Sequence, residues 1–169
     1  MARFATVSGA MGSHLEAKRQ ALVLLLAAVV AGGCSAPESL DTHTSAAAVE
    51  RRERLRDRLR SRLGNRYDAP LPAGTLEEVQ HGSKLYDMLC RSCHGPTGRG
   101  NGRSARMLTT QPPDLADPGT ASFFSDQAKL EIIAEGIDET SMIGWSRMLD
   151  EKERIAVLHF MKTLTREPR

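Results

Sequence analysis

The sequence is poor in aromatic residues, which together make up 4% of its 169 residues. Large flat side chains usually supply much of the contact area in the core of a small domain. We therefore expect either an aliphatic core or a core with a non-protein body at its centre. Hydrophobic residues still make up 40% of the chain, which is enough for a packed domain and excludes wholesale disorder.

An excess of charge of one sign is also missing, because 23 Lys and Arg residues face 21 Asp and Glu residues. The resulting net charge of +2 excludes a nucleic-acid binder that depends on bulk positive charge. The three cysteines are too few for a domain stapled by several disulfides, and their odd number needs an explanation.

Residues 1–33 have the layout of a secretory signal. Basic residues precede an apolar run at 21–31, and small residues lead from this run to Cys34. The run has 11 residues, whereas a helix that spans a membrane needs ~20. A cysteine after small residues resembles a bacterial lipoprotein signal. This resemblance implies cleavage before Cys34, a lipid on its sulfur and a lipid-anchored protein on the periplasmic side of the cell envelope. The alternatives are an uncleaved anchor and ordinary cleavage nearby, and Met11 is an alternative start.

Residues 34–74 are predicted to form a tether. Its first part is rich in Ser, Thr, Ala and Pro, as flexible linkers are. A helix is predicted over about 50–63, where seven arginines face three acidic residues and leucines recur every four positions. The leucines are Leu55, Leu59 and Leu63. This helix has three possible roles: a solvated spacer, a helix on anionic lipid headgroups, or a docking element for a partner helix. A Pro- and Gly-rich segment ends the tether, so the folded domain is expected at 75–169.

The chemistry of the chain is concentrated in a Cys-x-x-Cys-His motif formed by Cys90, Cys93 and His94. Two thiols three positions apart on a helical turn can add to the two vinyl groups of one porphyrin, and the adjacent imidazole then reaches its iron. This spacing is the attachment signature of c-type haem. A redox dithiol needs a βαβ context, a zinc site needs a fourth ligand at finger-like spacing, and a plain disulfide leaves the histidine unexplained. The predicted cofactor is one covalent haem c, which would also fill the core.

The sequence around this motif resembles the monohaem class I cytochrome c family over roughly residues 75–165. Gly82 and Tyr86 stand where the family has a glycine and an aromatic residue at the crossing of its first and last helices. The resemblance implies an all-α class I cytochrome c fold, with three main helices packed around one covalently attached haem. It also places Val157 and Phe160 of the last helix against Gly82 and Tyr86.

Local signals mark the starts of these three helices. A capping box begins at Thr75. Asp126 is predicted to cap a second helix, which Gly136 ends. The last helix is expected to begin at Asp150 as its cap and to run to about Leu164.

The resemblance further implies which residues surround the haem. The carbonyl of Pro113, or alternatively that of Pro112, is expected to accept a hydrogen bond from the non-ligating ring nitrogen of His94. Leu115 is expected to pack against the haem.

The resemblance implies Met142 as the sixth ligand of the iron. Met142 lies in a loop before Trp145, which is expected at the haem, as in the family, although Ile143 stands in place of the family's usual proline. Met107 and Met148 are the competing methionines.

With His94 and Met142 on the iron, no axial position is left for a substrate. The expected function is electron transfer by a membrane-tethered monohaem cytochrome that cycles between Fe(II) and Fe(III). Its partner is expected to be a redox protein or a membrane complex, with neither nucleic acid nor a small-molecule substrate. One alternative is a fixed haem subunit of a membrane quinol-oxidising assembly, such as alternative complex III or a terminal oxidase. Another is a small peroxidase in which Met142 does not bind. The basic residues expected to steer a partner are Lys84, Arg91, Arg99, Arg103 and Arg106.

Overall fold

The computed structural model describes residues 46–165 of the chain. Glycine- and proline-rich loops join the helices in this part. Six α-helices lie in this part of the chain, and the one strand-like feature there is an isolated antiparallel bridge between Gly136 and Ile143. The prediction of an all-α fold is therefore confirmed. The helices are α1 (Ala46–Leu63), α2 (Leu76–Leu89), α3 (Arg91–His94), α4 (Pro118–Phe123), α5 (Asp126–Glu135) and α6 (Glu151–Leu164). Short 3-10 turns lie at Gly64–Arg66 and Ala105–Met107.

The predicted signal segment and Cys34 lie outside the described residues. Among the helices of residues 46–165, none combines the length and the apolar character that crossing a bilayer requires.

The two long helices of the domain, α2 and α6, both begin with a capping box. The Thr75 hydroxyl accepts a hydrogen bond from the Glu78 amide at 3.2 Å, and the Glu78 carboxylate accepts one from the Thr75 amide at 2.7 Å. Asp150 and Glu153 form the same reciprocal pair at 2.8 and 2.9 Å. Because each box satisfies amide groups that the first helical turn leaves without partners, both predicted starts are confirmed.

Gly82 is the point at which α2 and α6 cross. A Cβ atom on this residue would overlap the carbonyl oxygen of Ala156 and stand 2.9 Å from the amide nitrogen of Val157. One turn later, the rings of Tyr86 and Phe160 lie 5.1 Å apart between centroids. Tyr86 is fully buried, and its hydroxyl donates a hydrogen bond to the Gly95 carbonyl at 2.9 Å. The predicted contacts between these two helices are confirmed.

The start of α5 corrects one prediction, because Ser125 and not Asp126 is its cap. The Ser125 hydroxyl accepts a hydrogen bond from the Ala128 amide at 3.2 Å, and Ser125 has the extended backbone typical of this position. Asp126 already lies in the helix, where its carboxylate accepts hydrogen bonds from Lys162 at 2.6 Å and from Lys129 at 3.4 Å. Burial raises the pKa of Asp126, but the hydrogen bonds and charges of the two lysines outweigh it and hold the pKa below its ordinary value. Asp126 therefore ties α5 to α6.

Helix α1 packs against α5 through the leucine stripe noted in the sequence. All three leucines are buried together with Tyr67 and Ala128 in one apolar cluster, which Phe124, Ile132 and Ile137 flank. The boundary expected near Thr75 stays a prediction, but residues before it are packed on residues after it.

Two arginines of α1 strengthen this contact, and four others have partners elsewhere among the described residues. Arg58 and Arg62 form ion pairs with Asp138 at 3.2 Å and Glu131 at 3.0 Å. The remaining contacts are Arg54 with Glu50, Arg52 and Arg56 over the Phe123 ring, and Arg60 over the Tyr67 ring. Exposed ion pairs contribute about 0–1 kcal/mol each, whereas burial of a leucine contributes about 1.5–3 kcal/mol. The leucines are therefore the main source of binding between α1 and α5.

Replacement of Leu59 by alanine tests whether α1 belongs to the folded domain. Leu59 is 6% exposed, so its truncation is expected to lower the free energy of unfolding by about 2–5 kcal/mol. Leu76→Ala is the matched control, because Leu76 is 74% exposed and loses no packed contact. Denaturant unfolding of the two variants measures the difference. Equal stabilities would mean that α1 is a detached spacer.

Candidate haem site

A cavity of about 1320 Å³ opens between α1, α2, α5 and α6. This volume exceeds the roughly 300–1,000 Å³ of common small-molecule pockets. The cavity brings together six of the seven residues expected around the cofactor: Cys90, His94, Pro113, Leu115, Met142 and Trp145. The seventh, Cys93, is partly buried in the same short helix as His94.

The two thiols and the imidazole are placed by one tight turn at the end of α2. The carbonyl of Cys90 accepts hydrogen bonds from the amides of Cys93 at 3.1 Å and His94 at 2.9 Å. Cys90 and Cys93 are free thiols and form no disulfide. Burial raises the pKa of Cys90 to about 11, so this group is a neutral thiol at neutral pH. Both sulfurs are thus available to form thioethers.

The glycine-rich loop after His94 folds back onto this turn. The amides of Gly100 and Gly102 donate hydrogen bonds to the carbonyls of His94 at 2.9 Å and Cys93 at 3.1 Å. The Leu115 amide donates to the Gly98 carbonyl at 2.7 Å. These bonds hold the turn and bring Leu115 to the cavity wall, where the sequence placed it.

His94 has the protonation state and the burial expected of a metal ligand. Burial lowers its pKa, so the ring is neutral at pH 7 and its nitrogen lone pair is free for a metal. Its Nδ1 atom is buried and has no hydrogen-bond partner within residues 46–165. An orphaned buried polar atom costs about 1–3 kcal/mol, so the imidazole is set up for a partner that these residues do not supply.

The expected hydrogen bond from His94 to the Pro113 carbonyl is not formed in this structure. Pro113 lines the cavity, but the carbonyl oxygens of Pro112 and Pro113 lie beside Gly100. A Cβ atom on Gly100 would overlap the Pro112 oxygen and stand 3.2 Å from the Pro113 oxygen. Rotation of the ring about its Cβ–Cγ bond decides where Nδ1 points, and a bond from one ring nitrogen to a metal would fix that rotation. A role for the Pro113 carbonyl therefore stays a prediction for the ligated imidazole.

The loop that carries Met142 is closed by backbone hydrogen bonds. The Met142 carbonyl accepts from the Ile137 amide at 2.9 Å, and the Met142 amide donates to the Thr140 hydroxyl at 3.1 Å. At the far end of the loop, the Trp145 amide donates to the Ile133 carbonyl at the end of α5 at 3.0 Å. The stiffness that a proline would give at Ile143 is thus supplied by bonds between the two arms of the loop.

The other methionines differ in where they lie. Met107 and Met148, the competitors for the iron, are 80% and 66% exposed and do not line the cavity. Met161 does line it, and sequence reasoning missed this residue. The signal for it was its position four residues after Val157 on the apolar face of α6. Among residues 46–165, Met142 and Met161 are therefore the two methionines at the cavity.

A second group missed at the sequence level comes from α1. Arg51, Arg52 and Leu55 line the cavity beside residues of the predicted haem domain. The leucine spacing indicated an apolar helix face, but it did not indicate which surface would cover that face.

Comparison with known proteins identifies the class. A family model described as cytochrome c matches residues 79–165, just over half of the chain. The chain belongs to the cytochrome c family. Membership implies covalently bound haem c, which agrees with the Cys-x-x-Cys-His turn at the cavity, and supports electron transfer as the general function.

Among solved structures, the chain is similar to a chain of the reducing HAO-like protein complex of Kuenenia stuttgartiensis. The two share 25% sequence identity, with a TM-score of 0.49. The match covers 56% of this chain and 46% of the other, so it spans less than half of the relative's length. No curated protein sequence matches this chain.

Replacement of Gly136 by alanine tests how firmly the Met142 loop is held. Gly136 has a φ of +80°, and a Cβ atom on it would meet the Met142 carbonyl and stand 2.7 Å from the Gly144 amide nitrogen. We expect the variant to lose about 2–4 kcal/mol of stability from backbone strain and overpacking together. Amide hydrogen exchange at Ile137, which is bonded to Met142, should become faster.

Gly64→Ala is the matched control for this variant. Gly64 also has a positive φ, +52°, but a Cβ atom there would meet nothing within 4 Å. We expect it to lose about 1–2 kcal/mol, the strain of the left-handed backbone alone. If both variants lose equal stability and exchange at Ile137 is unchanged, the loop is not pinned at Gly136.

Proposed function

We propose that the protein is a membrane-tethered electron carrier in which haem c is attached to Cys90 and Cys93, with His94 and Met142 as its axial ligands. The observation that carries this proposal is the single cavity that brings His94 and Met142 together beside the thiol of Cys90. Haem c, when bound, supplies a one-electron Fe(II)/Fe(III) couple.

The chain's own residues account for the character of this carrier. The neutral imidazole of His94 is a nitrogen donor, and the thioether of Met142 is a soft ligand that raises the reduction potential relative to a second histidine. Two axial side chains leave no open position for a substrate. Hydrogen bonds hold the backbone of the Met142 loop, so little movement of this loop is expected when the iron changes its oxidation state. These features favour electron transfer over the chemistry of a peroxidase.

A partner would meet exposed basic residues that lie near the attachment turn in the sequence. The five basic residues expected to steer it are all exposed: Lys84, Arg91, Arg99, Arg103 and Arg106. One of them, Arg91, forms an exposed ion pair with Asp87 at 3.5 Å. Exposed charges of one sign speed the encounter with a redox partner of opposite charge.

The proposed anchor is a lipid on Cys34. Its support is the order of basic, apolar and small residues that precede this cysteine. The alternative of a fixed subunit in a quinol-oxidising assembly used the arginine helix for docking on other subunits. In the structure, the leucines of α1 are buried against this chain's own residues, and Arg54, Arg58 and Arg62 form ion pairs within it, which favours the carrier.

Replacement of Met142 by alanine tests the axial ligand. The variant is expected to lose the sulfur-to-iron charge-transfer absorption of the oxidised protein, because Met107 and Met148 are exposed and do not line the cavity. Met161→Ala is the matched control, since it removes the other methionine at the cavity and is expected to keep this absorption. The reverse outcome would assign the iron to Met161 and overturn the ligand set proposed here.

Replacement of Cys34 by alanine tests the anchor. The variant is expected to move from the membrane fraction to the soluble fraction of the cell envelope, because the lipid would have no sulfur to bind. Ser35→Ala, which keeps the thiol, is expected to stay in the membrane fraction. A Cys34→Ala protein that stays on membranes until salt is added would indicate α1 as the anchor, and one that resists salt would indicate the apolar run.

A further inference from the structure

Helix α1 is a wall of the haem cavity, although it lies before the part of the chain that matches the family. Ala47, Ala48 and Leu55 give this wall an apolar surface, and Arg51 and Arg52 give it positive charge. The buried leucine stripe fixes α1 on α5, so the backbone that carries Arg51 and Arg52 is held at the cavity wall by helix packing. A fixed backbone lowers part of the entropy lost when the two side chains bind a ligand.

The charged side chains that line the cavity differ in their hydrogen-bond and ion-pair partners. Lys129 and Lys162 also line it, but both are engaged by the carboxylate of Asp126. On the acidic side, Asp114 accepts hydrogen bonds from backbone amides, and Asp117 caps α4 through the Thr120 amide at 2.9 Å. The positive charge that lines the cavity without a carboxylate partner in the described structure is therefore on α1.

Arg51 and Arg52 are held in different ways. The guanidinium carbon of Arg52 lies 4.2 Å from the centroid of the Phe123 ring, a cation–π contact that forms no ion pair. Arg51 is exposed and forms no ion pair within residues 46–165. Both residues line the cavity, and the planar fork of an arginine binds a carboxylate by paired hydrogen bonds.

We propose that Arg51 and Arg52 bind the two carboxylate groups that haem carries on its edge. The inference rests on the proposed function only in that haem occupies this cavity. A carboxylate placed in a largely apolar cavity needs a charged partner, because burial of an unpaired charge is costly. The α1 wall supplies that partner from outside the family's own segment.

This pairing also sets the electrical environment of the iron. A positive charge beside the haem favours Fe(II), the form that carries one positive charge less. Removal of both arginines would leave two carboxylates uncompensated, and these favour Fe(III). Both effects act in the same direction, so the reduction potential is expected to fall.

The test measures the midpoint potential of the haem-loaded full-length protein by redox titration. Arg51→Gln combined with Arg52→Gln is expected to lower the equilibrium constant for reduction about tenfold, which for one electron is about 59 mV. Arg54→Gln is the matched control on the same helix, because Arg54 pairs with Glu50 and does not line the cavity. Its midpoint is expected to equal that of the unchanged protein. Added salt should narrow the difference, because Arg51 is exposed to solvent.

Equal midpoints for the double variant and Arg54→Gln would overturn the proposal. If the double glutamine variant binds no haem, the same two positions are changed to lysine, which keeps the charge. Haem loading by the lysine variant then supports the proposal, and failure to load overturns it. The carrier function fails separately, if the unchanged protein contains no haem or lacks the sulfur-to-iron absorption.

Discussion

The close crossing of α2 and α6 at Gly82 is the contact on which the rest of the fold depends. The backbone of α6 at Ala156 lies where a side chain on Gly82 would have to be, so the two helices approach more closely there than side chains would allow. Helix α2 ends at the turn that carries Cys90, and α6 presents Val157 to the cavity. The distance between these helices therefore decides the width of the space into which the haem must fit.

That space explains the shortage of aromatic residues. Of the few aromatic side chains, Tyr86, Phe124 and Trp145 line the cavity, and the Phe160 ring lies against Tyr86 in a tilted contact. They surround a volume too large for the protein's own side chains to fill, which agrees with a core built around a flat cofactor. The apolar body that the sequence lacks is supplied by the haem c that membership of the cytochrome c family implies.

Local signals in the sequence were enough to predict where the helices of the domain begin. The capping box at Thr75 and the cap at Asp150 could be predicted because their partners lie three residues away. The cap of α5 was misplaced by one residue, since Ser125 and Asp126 are adjacent and both can accept from a backbone amide. The sequence could not predict which surface α1 packs against or how the His94 ring is rotated, because each depends on residues that only the folded chain brings together.

The position of α1 distinguishes the segment that matches the family from the larger segment that encloses the cavity. The segment that defines the family begins at residue 79, whereas the walls that enclose its cofactor begin some thirty residues earlier, within α1. A chain trimmed to residues 79–165 would keep every expected ligand of the iron but would lose one wall of the cavity and open that side to water. The cavity of this protein is therefore built from more of the chain than the family match covers.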